Sequence, residues 1–125
     1  MPVMPELRIT RRKLPHWQLE GSLYFVTFRL EHGTLTSDER QLVLDHVRSG
    51  HPGFYNLLAI VVMPDHVHML LQPNEGMALP RIMRGVKGVS ARLVNQRRGS
   101  RGQVWQDEWF DRIIRDDEEV HEKLV

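Results

Sequence analysis

Residues 57–72 read LLAIVVMPDHVHMLLQ, two apolar runs joined by a proline and an aspartate. Apolar runs of this length, rich in β-branched residues, are typical of buried strands, and Pro64-Asp65 is a turn signal. The stretch therefore predicts a hairpin whose strands span Tyr55–Met63 and His66–Gln72. The unbroken apolar character of the first strand predicts that both of its faces are covered.

The second strand of this hairpin carries two histidines, His66 and His68. Side chains at i and i+2 of a strand share one face, so both rings should project together. Val67, Met69 and Leu71 should then pack on the other face. Two imidazoles held side by side on a strand form half of a divalent-metal site. The alternative is a surface or hydrogen-bonded pair that binds no metal.

The sequence on either side of the hairpin predicts four further elements. They are a strand over Leu23–Leu30, a helix capped by Ser37, a helix from about Leu79, and a strand within Val104–Arg115. The order β-α-β-β-α-β predicts an α+β, ferredoxin-like sandwich, an antiparallel sheet with both helices on one face. In this topology the histidine-bearing strand is central, and the helices cover the face opposite the histidines.

Two local features of the helices can also be predicted. With Ser37 as the N-cap, the third helical position is Arg40, so no capping box is expected. Gly85 and Gly88 fall inside the second helix, where glycine costs stability, which predicts close packing or backbone approach there. The apolar stripe of that helix should face the core: Ile82, Met83, Val86, Val89, Leu93 and Val94.

The composition fits one small domain. The chain has 125 residues, 41% of them hydrophobic, which is enough for a single core. It has no cysteine, so any metal must be held by His, carboxylate or amide ligands. With no apolar run long enough to cross a bilayer and no signal peptide, a cytoplasmic protein is expected. Residues 1–16 are predicted to be a basic irregular arm, and residues 17–125 the single domain.

Basic residues are segregated from acidic ones along the chain. The net charge is only +1, yet Gly76–Gln106 contains no acidic residue. This pattern predicts a polyanion-binding face, the alternative being a solvated helix face. The candidate residues are Arg81, Arg84, Lys87, Arg92, Arg97, Arg98 and Arg101, with Arg11 and Arg12 in a second basic cluster near the N-terminus.

The end of the chain resembles the start of another helix. Asp116–Glu119 can cap a helix and suit the positive end of its dipole, and Val120 and Leu124 begin an apolar stripe. The chain ends at Val125, and so short a helix is marginal by itself. We therefore expect that the chain is cut within this helix; the alternative is a short frayed tail.

Several stretches together resemble a known family. They are Val62–Leu70 (VMPDHVHML), Gly102–Gln106 (GQVWQ) and Phe110–Asp116 (FDRIIRD), with Leu14–Trp17 and Tyr24–Arg29 similar to the opening of the same proteins. In this order they resemble the REP-associated tyrosine transposases, which carry a transposase IS200-like domain and belong to the HUH single-strand transposase superfamily. The resemblance covers nearly the whole chain from about Arg11.

This resemblance implies a function. In that family the histidines matching His66 and His68 bind Mg²⁺ or Mn²⁺, which polarises a scissile phosphate of single-stranded or hairpin DNA. A tyrosine of a later helix attacks that phosphate to form a phosphotyrosine link, and an amide four residues further on completes the metal shell. The implied partner is single-stranded or hairpin DNA, with no membrane, and the protein is expected to be a monomer or homodimer.

The chain departs from the family at the nucleophile. Its only tyrosines are Tyr24 and Tyr55, in the first and second strands, and neither matches the catalytic position. The nucleophilic tyrosine is expected beyond Val125, so no catalytic residue is predicted within the chain. Two other functions stay open: a non-catalytic module that binds single-stranded or hairpin nucleic acid, and an RNA-binding domain with structural histidines. The second would use sheet aromatics such as Tyr24, Phe25 or Phe28.

A few single residues allow two interpretations. Asp65 could orient the His66 ring or simply form the turn. Gln106 or Asp107 could approach a metal from the fourth strand. Three tryptophans could stack on unpaired bases or fill the core: Trp17, Trp105 and Trp109.

Overall fold

The computed structural model describes residues 21–114, within which six elements follow one another in the predicted order. They are β1 (Leu23–Leu30), α1 (Ser37–Ser49), β2 (Tyr55–Val62), β3 (His66–Pro73), α2 (Leu79–Arg98) and β4 (Trp105–Ile114). This order confirms the ferredoxin-like α+β fold. The arm over 1–16 and the helix expected from Asp116 lie outside the described residues. Neither helix between residues 21 and 114 is long and apolar enough to span a membrane.

The four strands form one antiparallel sheet in the order β2-β3-β1-β4. β3 is therefore central, as the topology predicts. Thr27 on β1 lies opposite His68 on β3 and opposite Phe110 on β4, and His68 also lies opposite Val61 on β2. Directly opposed residues of antiparallel strands project to the same face. Val61, His68, Thr27 and Phe110 therefore form a row across the sheet, called the cross-strand row below.

Both helices pack on one face of the sheet, and the alternation along β3 decides which residues they cover. Val67, Met69 and Leu71 are fully buried in the main core, together with Val47 of α1 and Met83 of α2. The face that carries the histidines is thus turned away from the helices, as predicted, and is called the open face below. A second buried cluster lies on the open face toward one end of the sheet: Leu23, Leu58, Leu70 and Ile114.

The N-cap of α1 differs from the predicted one. It is Thr36, whose Oγ1 accepts a hydrogen bond from the Glu39 backbone N at 3.2 Å, while Glu39 Oε1 accepts from the Thr36 backbone N at 2.8 Å. The expectation of no capping box is therefore wrong, because a cap one residue earlier places Glu39 at the third helical position. Glu39 is buried, and Arg98 at the end of α2 donates to its carboxylate at 2.6 and 2.9 Å. The cap of one helix is thus tied to the end of the other.

Two expectations about packing are also wrong. A Cβ added at Gly85 or Gly88 would meet nothing within 4 Å, so these glycines mark open grooves beside α2 instead of close contacts. The expectation that both faces of β2 are covered fails at the end of the strand, although Leu57 and Leu58 near its start are buried on opposite faces. Val61 is 49% exposed and Met63, just beyond the strand, is 39% exposed.

Candidate metal centre and nucleic-acid interface

His66 and His68 lie side by side on the open face, near the start of the central strand. Their ring centroids are 4.7 Å apart and the ring planes are inclined by 77°. On the neighbouring strand β1, Thr27 lies opposite His68 and Arg29 lies opposite His66. Because β3 is paired with a strand on each side, its backbone is held firmly, and the distance between the two imidazoles can vary little.

Each imidazole is oriented through its Nδ1 atom. His68 Nδ1 lies 2.8 Å from Thr27 Oγ1, and His66 Nδ1 lies 2.6 Å from Asp65 Oδ1. The hydrogen bond with His66 lowers the pKa of the Asp65 carboxyl, which keeps it ionised as an acceptor. The Phe25 ring stacks on His68, with centroids 5.3 Å apart and planes inclined by 19°. If both Nδ1–H groups donate to these oxygens, Nε2 is the nitrogen through which each ring would bind a metal.

This donor set fits a divalent cation that takes its other ligands from elsewhere. Imidazole suits Mn²⁺, and hard Mg²⁺ is normally bound by few protein groups and keeps several waters. Among residues 21–114, no three His, Cys, Asp or Glu side chains group closely enough to hold a metal. Gln106 Nε2 donates to the Leu30 carbonyl at 3.3 Å, and Asp107 Oδ1 accepts from Gln103 Nε2 at 3.1 Å. Of the predicted metal ligands, the described residues thus bring two together, His66 and His68.

The basic residues of α2 lie on the other side of the sheet from the histidines. α2 packs on the helix-covered face, so the sheet separates its cations from the histidines. Arg81, Arg84 and Arg92 are exposed on α2, and Arg101 is exposed in the loop that follows. Arg11 and Arg12 lie outside the described residues. The residues predicted to bind metal and the residues predicted to bind phosphate therefore do not form one cluster.

Three of the predicted cations already have partners within the fold. Lys87 Nζ donates to two backbone carbonyls of β4 at 2.6 and 2.9 Å, and burial lowers the pKa of its ammonium group. Arg98 donates to the buried Glu39, and Arg97 forms an exposed ion pair with Asp38 at 2.5 Å. A phosphate would have to compete with these partners for the same N–H groups.

The open face carries cationic and aromatic residues that the charge pattern did not reveal. Arg29, opposite His66, is exposed, and Phe110, opposite Thr27, is 60% exposed. Arg112 follows two residues after Phe110 on the same face of β4. These residues can be located by starting from the histidines and following which side chains of β1 and β4 lie opposite them on the same face. This requires knowing how β1 pairs with β3 and β4, and the amino-acid sequence alone does not give that pairing.

Trp17 lies outside the described residues, and the other aromatic residues considered for base stacking divide between the two faces. Tyr24 and Phe28 are buried in the main core, so neither can contact a base, while Phe25 lies on the open face against His68. Trp105 is also buried in the core, its ring edge-to-face with Phe28 at 4.7 Å. Trp109 is partly buried against the same core.

A groove of about 440 Å³ runs between α2 and β4 on the helix side of the molecule. Arg84 and Gly88 line it from α2, and Gln103 and Trp109 line it from the other side. Because Gly88 has no side chain, the floor of the groove is open beside an exposed cation. This groove and the open face are two separate surfaces on which a polyanion could be held.

Residues 50–121 match the sequence profile of the family described as Transposase IS200 like. The match spans more than half of the chain, and its first part contains β2, β3 and the histidine pair. The chain belongs to the IS200-like transposase family. No curated protein sequence matches it.

Two solved structures share the fold. A REP-associated tyrosine transposase bound to a REP hairpin is 18% identical, with a TM-score of 0.70 over 90% of this chain and 68% of that one. A crystal structure at 1.90 Å of a candidate transposase from Deinococcus radiodurans R1 is also 18% identical. Its TM-score is 0.65 over 92% of this chain and 94% of that one. At this level of identity the likeness shows a common fold.

Proposed function

We propose that this protein binds single-stranded or hairpin DNA and supplies the two histidine ligands of a metal-dependent reaction that cleaves and rejoins the strand. The observation that carries the proposal is the pair His66 and His68, each oriented through Nδ1 on the central strand of an IS200-like transposase domain. We propose the cytoplasm as its place of action.

The histidines would act by fixing a divalent cation, Mg²⁺ or Mn²⁺, beside one phosphate of the DNA. A bound cation of this kind supplies charge stabilisation for the oxygens of a phosphate under attack. His66 and His68 would each offer Nε2, while Asp65 and Thr27 hold the two rings in place. Arg29, exposed opposite His66, would contribute a second positive charge to the same phosphate.

The helix side would hold the rest of the DNA. Arg81, Arg84 and Arg92 are exposed on α2, and Arg101 follows in the loop, so these four are the phosphate contacts that we propose from the predicted set. The groove beside Arg84 gives that surface a concave part. A protein of the same fold is known with a REP hairpin bound, which makes a folded single strand the first substrate to test.

Neither tyrosine of the chain suits the role of nucleophile. Tyr24 and Tyr55 are both buried in the core, Tyr55 donates to the Val47 carbonyl at 2.5 Å, and burial raises its pKa to about 12. In the proposed reaction a hydroxyl oxygen forms a bond to phosphorus, and the opposite P–O bond breaks. The attacking hydroxyl gives up its proton, the departing 3′ oxygen keeps the bonding pair and takes up a proton, and the reverse step restores both the phosphodiester and the free hydroxyl. We assign that hydroxyl to no residue described here.

A second candidate function is a non-catalytic module that binds single-stranded or hairpin DNA, which needs no nucleophile and is compatible with the burial of both tyrosines. The two candidates share the DNA surface and differ in whether the histidines bind a metal. In the non-catalytic case, His66 and His68 would only stabilise the open face through Thr27 and Asp65.

Metal binding and DNA binding should be measured separately. Calorimetric titration with Mn²⁺ should show weak binding to the wild type and none to the double variant His66→Ala/His68→Ala. The exposed His32→Ala serves as the matched control. Equal Mn²⁺ binding by all three proteins would remove the metal from the proposal and leave the non-catalytic function.

Fluorescence anisotropy with a hairpin oligonucleotide, titrated with salt, tests the DNA part. Binding should weaken with salt by about 0.7 in log–log slope for each single-strand phosphate contact. An affinity no greater than that for a neutral peptide-nucleic-acid hairpin of the same sequence would contradict DNA binding altogether.

A further inference from the structure

Phe110 is the most exposed large apolar side chain in the described part of the chain, at 60%. A single exposed phenyl ring is ordinary in proteins, so exposure alone indicates nothing. Its position is informative, because Phe110 ends the cross-strand row that passes through Thr27 and His68. The preceding residue, Trp109, already packs against the core from the other face of β4.

We propose that Phe110 is a stacking platform for the nucleobase next to the phosphate held at His66 and His68. The inference rests on the function proposed above and adds a base-binding position to it. Two strand spacings separate Phe110 from His68 along the row, about 10 Å. A flat aromatic ring at that distance offers a face on which an unpaired base beside the bound phosphate can stack.

The charges around the row favour nucleic acid as the occupant. Arg29 lies on one side of the row, opposite His66, and Arg112 lies on the other side, opposite Phe25. Both are cationic residues of the open face, placed where a backbone crossing the sheet would bring its phosphates. Glu108 lies two residues before Phe110 on β4, so two guanidinium groups and one carboxylate near the ring leave a net positive charge, which suits a DNA backbone better than an apolar protein partner.

The geometry favours an unpaired strand over a duplex. Stacking on Phe110 requires an exposed base face, and in a duplex the faces are taken by neighbouring base pairs. At the other end of the row, Val61 on the edge strand β2 is 49% exposed and offers an apolar surface on which the DNA can lie. The expected ligand is therefore single-stranded DNA that crosses the open face from β2 toward β4.

The test uses Phe110→Ala, the rescue variant Phe110→Trp and the matched control Phe54→Ala. Phe54 is 56% exposed, but it lies before β2, beside α2 residues on the helix side. The probe is a hairpin oligonucleotide with a single-stranded extension that carries 2-aminopurine at one unpaired position at a time. Stacking on an aromatic ring changes the fluorescence of that base.

The wild type, Phe110→Trp and Phe54→Ala should alter the fluorescence at one unpaired position and bind with similar affinity. Phe110→Ala should lose that signal and bind at least about fivefold more weakly, which is the low end for one stacked base. The salt dependence should stay the same, because no charge is removed.

Equal signal and affinity in Phe110→Ala and Phe54→Ala would overturn the inference while leaving DNA binding intact. Tighter binding of the RNA version of the probe would overturn the choice of DNA as the ligand. If the wild type binds none of the oligonucleotides, the proposed function fails, and this inference fails with it.

Discussion

Replacing Arg98 by alanine should destabilise the fold substantially, although Arg98 was predicted from the sequence as a DNA contact. Its guanidinium donates twice to the buried Glu39 carboxylate, and it also donates to the Thr34 carbonyl at 3.1 Å. Glu39 is itself part of the capping box of α1. Arg98→Ala would therefore leave a buried carboxylate without its cation and loosen the contact between the two helices.

The pKa of Glu39 gives the size of this effect. The hydrogen bond from Arg98 is the main cause that lowers this pKa from 4.5 to about 2. A difference of that size corresponds to about 3 kcal/mol of interaction with the ionised form. Because the Arg98 side chain is 33% exposed, solvent screens part of it, and we expect a loss of about 2 kcal/mol in the free energy of unfolding. For a domain of this size, that lowers the melting temperature by about 10 °C.

The sign of the pH dependence follows from the same pKa. The folded-state pKa of Glu39 lies below its unfolded value, so the interaction contributes fully above pH 4.5 and is lost as the pH falls from 4.5 toward 2. The stability difference between wild type and Arg98→Ala should therefore shrink over that interval. Thermal unfolding followed by circular dichroism at several pH values measures it.

Arg97→Ala is the matched control. Arg97 is the preceding residue on the same helix and forms an ion pair with Asp38, but both side chains are at least 49% exposed. Exposed pairs contribute less than about 1 kcal/mol. If Arg98→Ala and Arg97→Ala have the same stability, or if the loss in Arg98→Ala does not depend on pH, the reasoning about Glu39 is wrong.

Three further predictions concern the candidate sites. Thr27→Val keeps the side-chain shape but removes the hydroxyl that pairs with His68 Nδ1, so it should weaken Mn²⁺ binding by about tenfold in calorimetry. An unchanged affinity would contradict the role of that hydrogen bond. Arg84→Ala and Arg92→Ala should each reduce the log–log salt slope of hairpin binding by about 0.7, and a slope equal to that of the wild type would mean that α2 does not touch the phosphates. The 125-residue chain should form no covalent adduct with a hairpin substrate on a denaturing gel, even with Mn²⁺ present. An adduct that is lost in Tyr55→Phe would show that the buried Tyr55 hydroxyl can still react.

The order of elements and the face of the histidines could be predicted from sequence because both depend on local patterns. Alternation through His66-Val67-His68 places the two rings on one side of a strand whatever that strand pairs with. The run of apolar residues before them sets the hairpin. The central place of β3 then follows from the ferredoxin-like topology.

The roles of individual charged residues could not be predicted in the same way. Glu39 and Arg98 are 59 positions apart, and only the packing of α1 on α2 makes them partners. The charge pattern between Gly76 and Gln106 therefore does not distinguish cations that stabilise the fold from cations that are exposed to a ligand. The position of Phe110 in line with His68 could not be predicted for a related reason, because the sequence of β4 does not reveal how that strand pairs with β1.

The placement of the histidines and the basic helix on opposite sides of one sheet bears on how proteins of this kind can diversify. Groups that share no neighbours respond to substitution almost additively. If α2 binds DNA as we propose, changes on its exposed side would alter which DNA is held without displacing His66 or His68. Conversely, the loss of either imidazole would leave the exposed cations of α2 in place on the other side of the sheet. Target choice and chemistry could then evolve at different rates, and a descendant could give up the second while keeping the first.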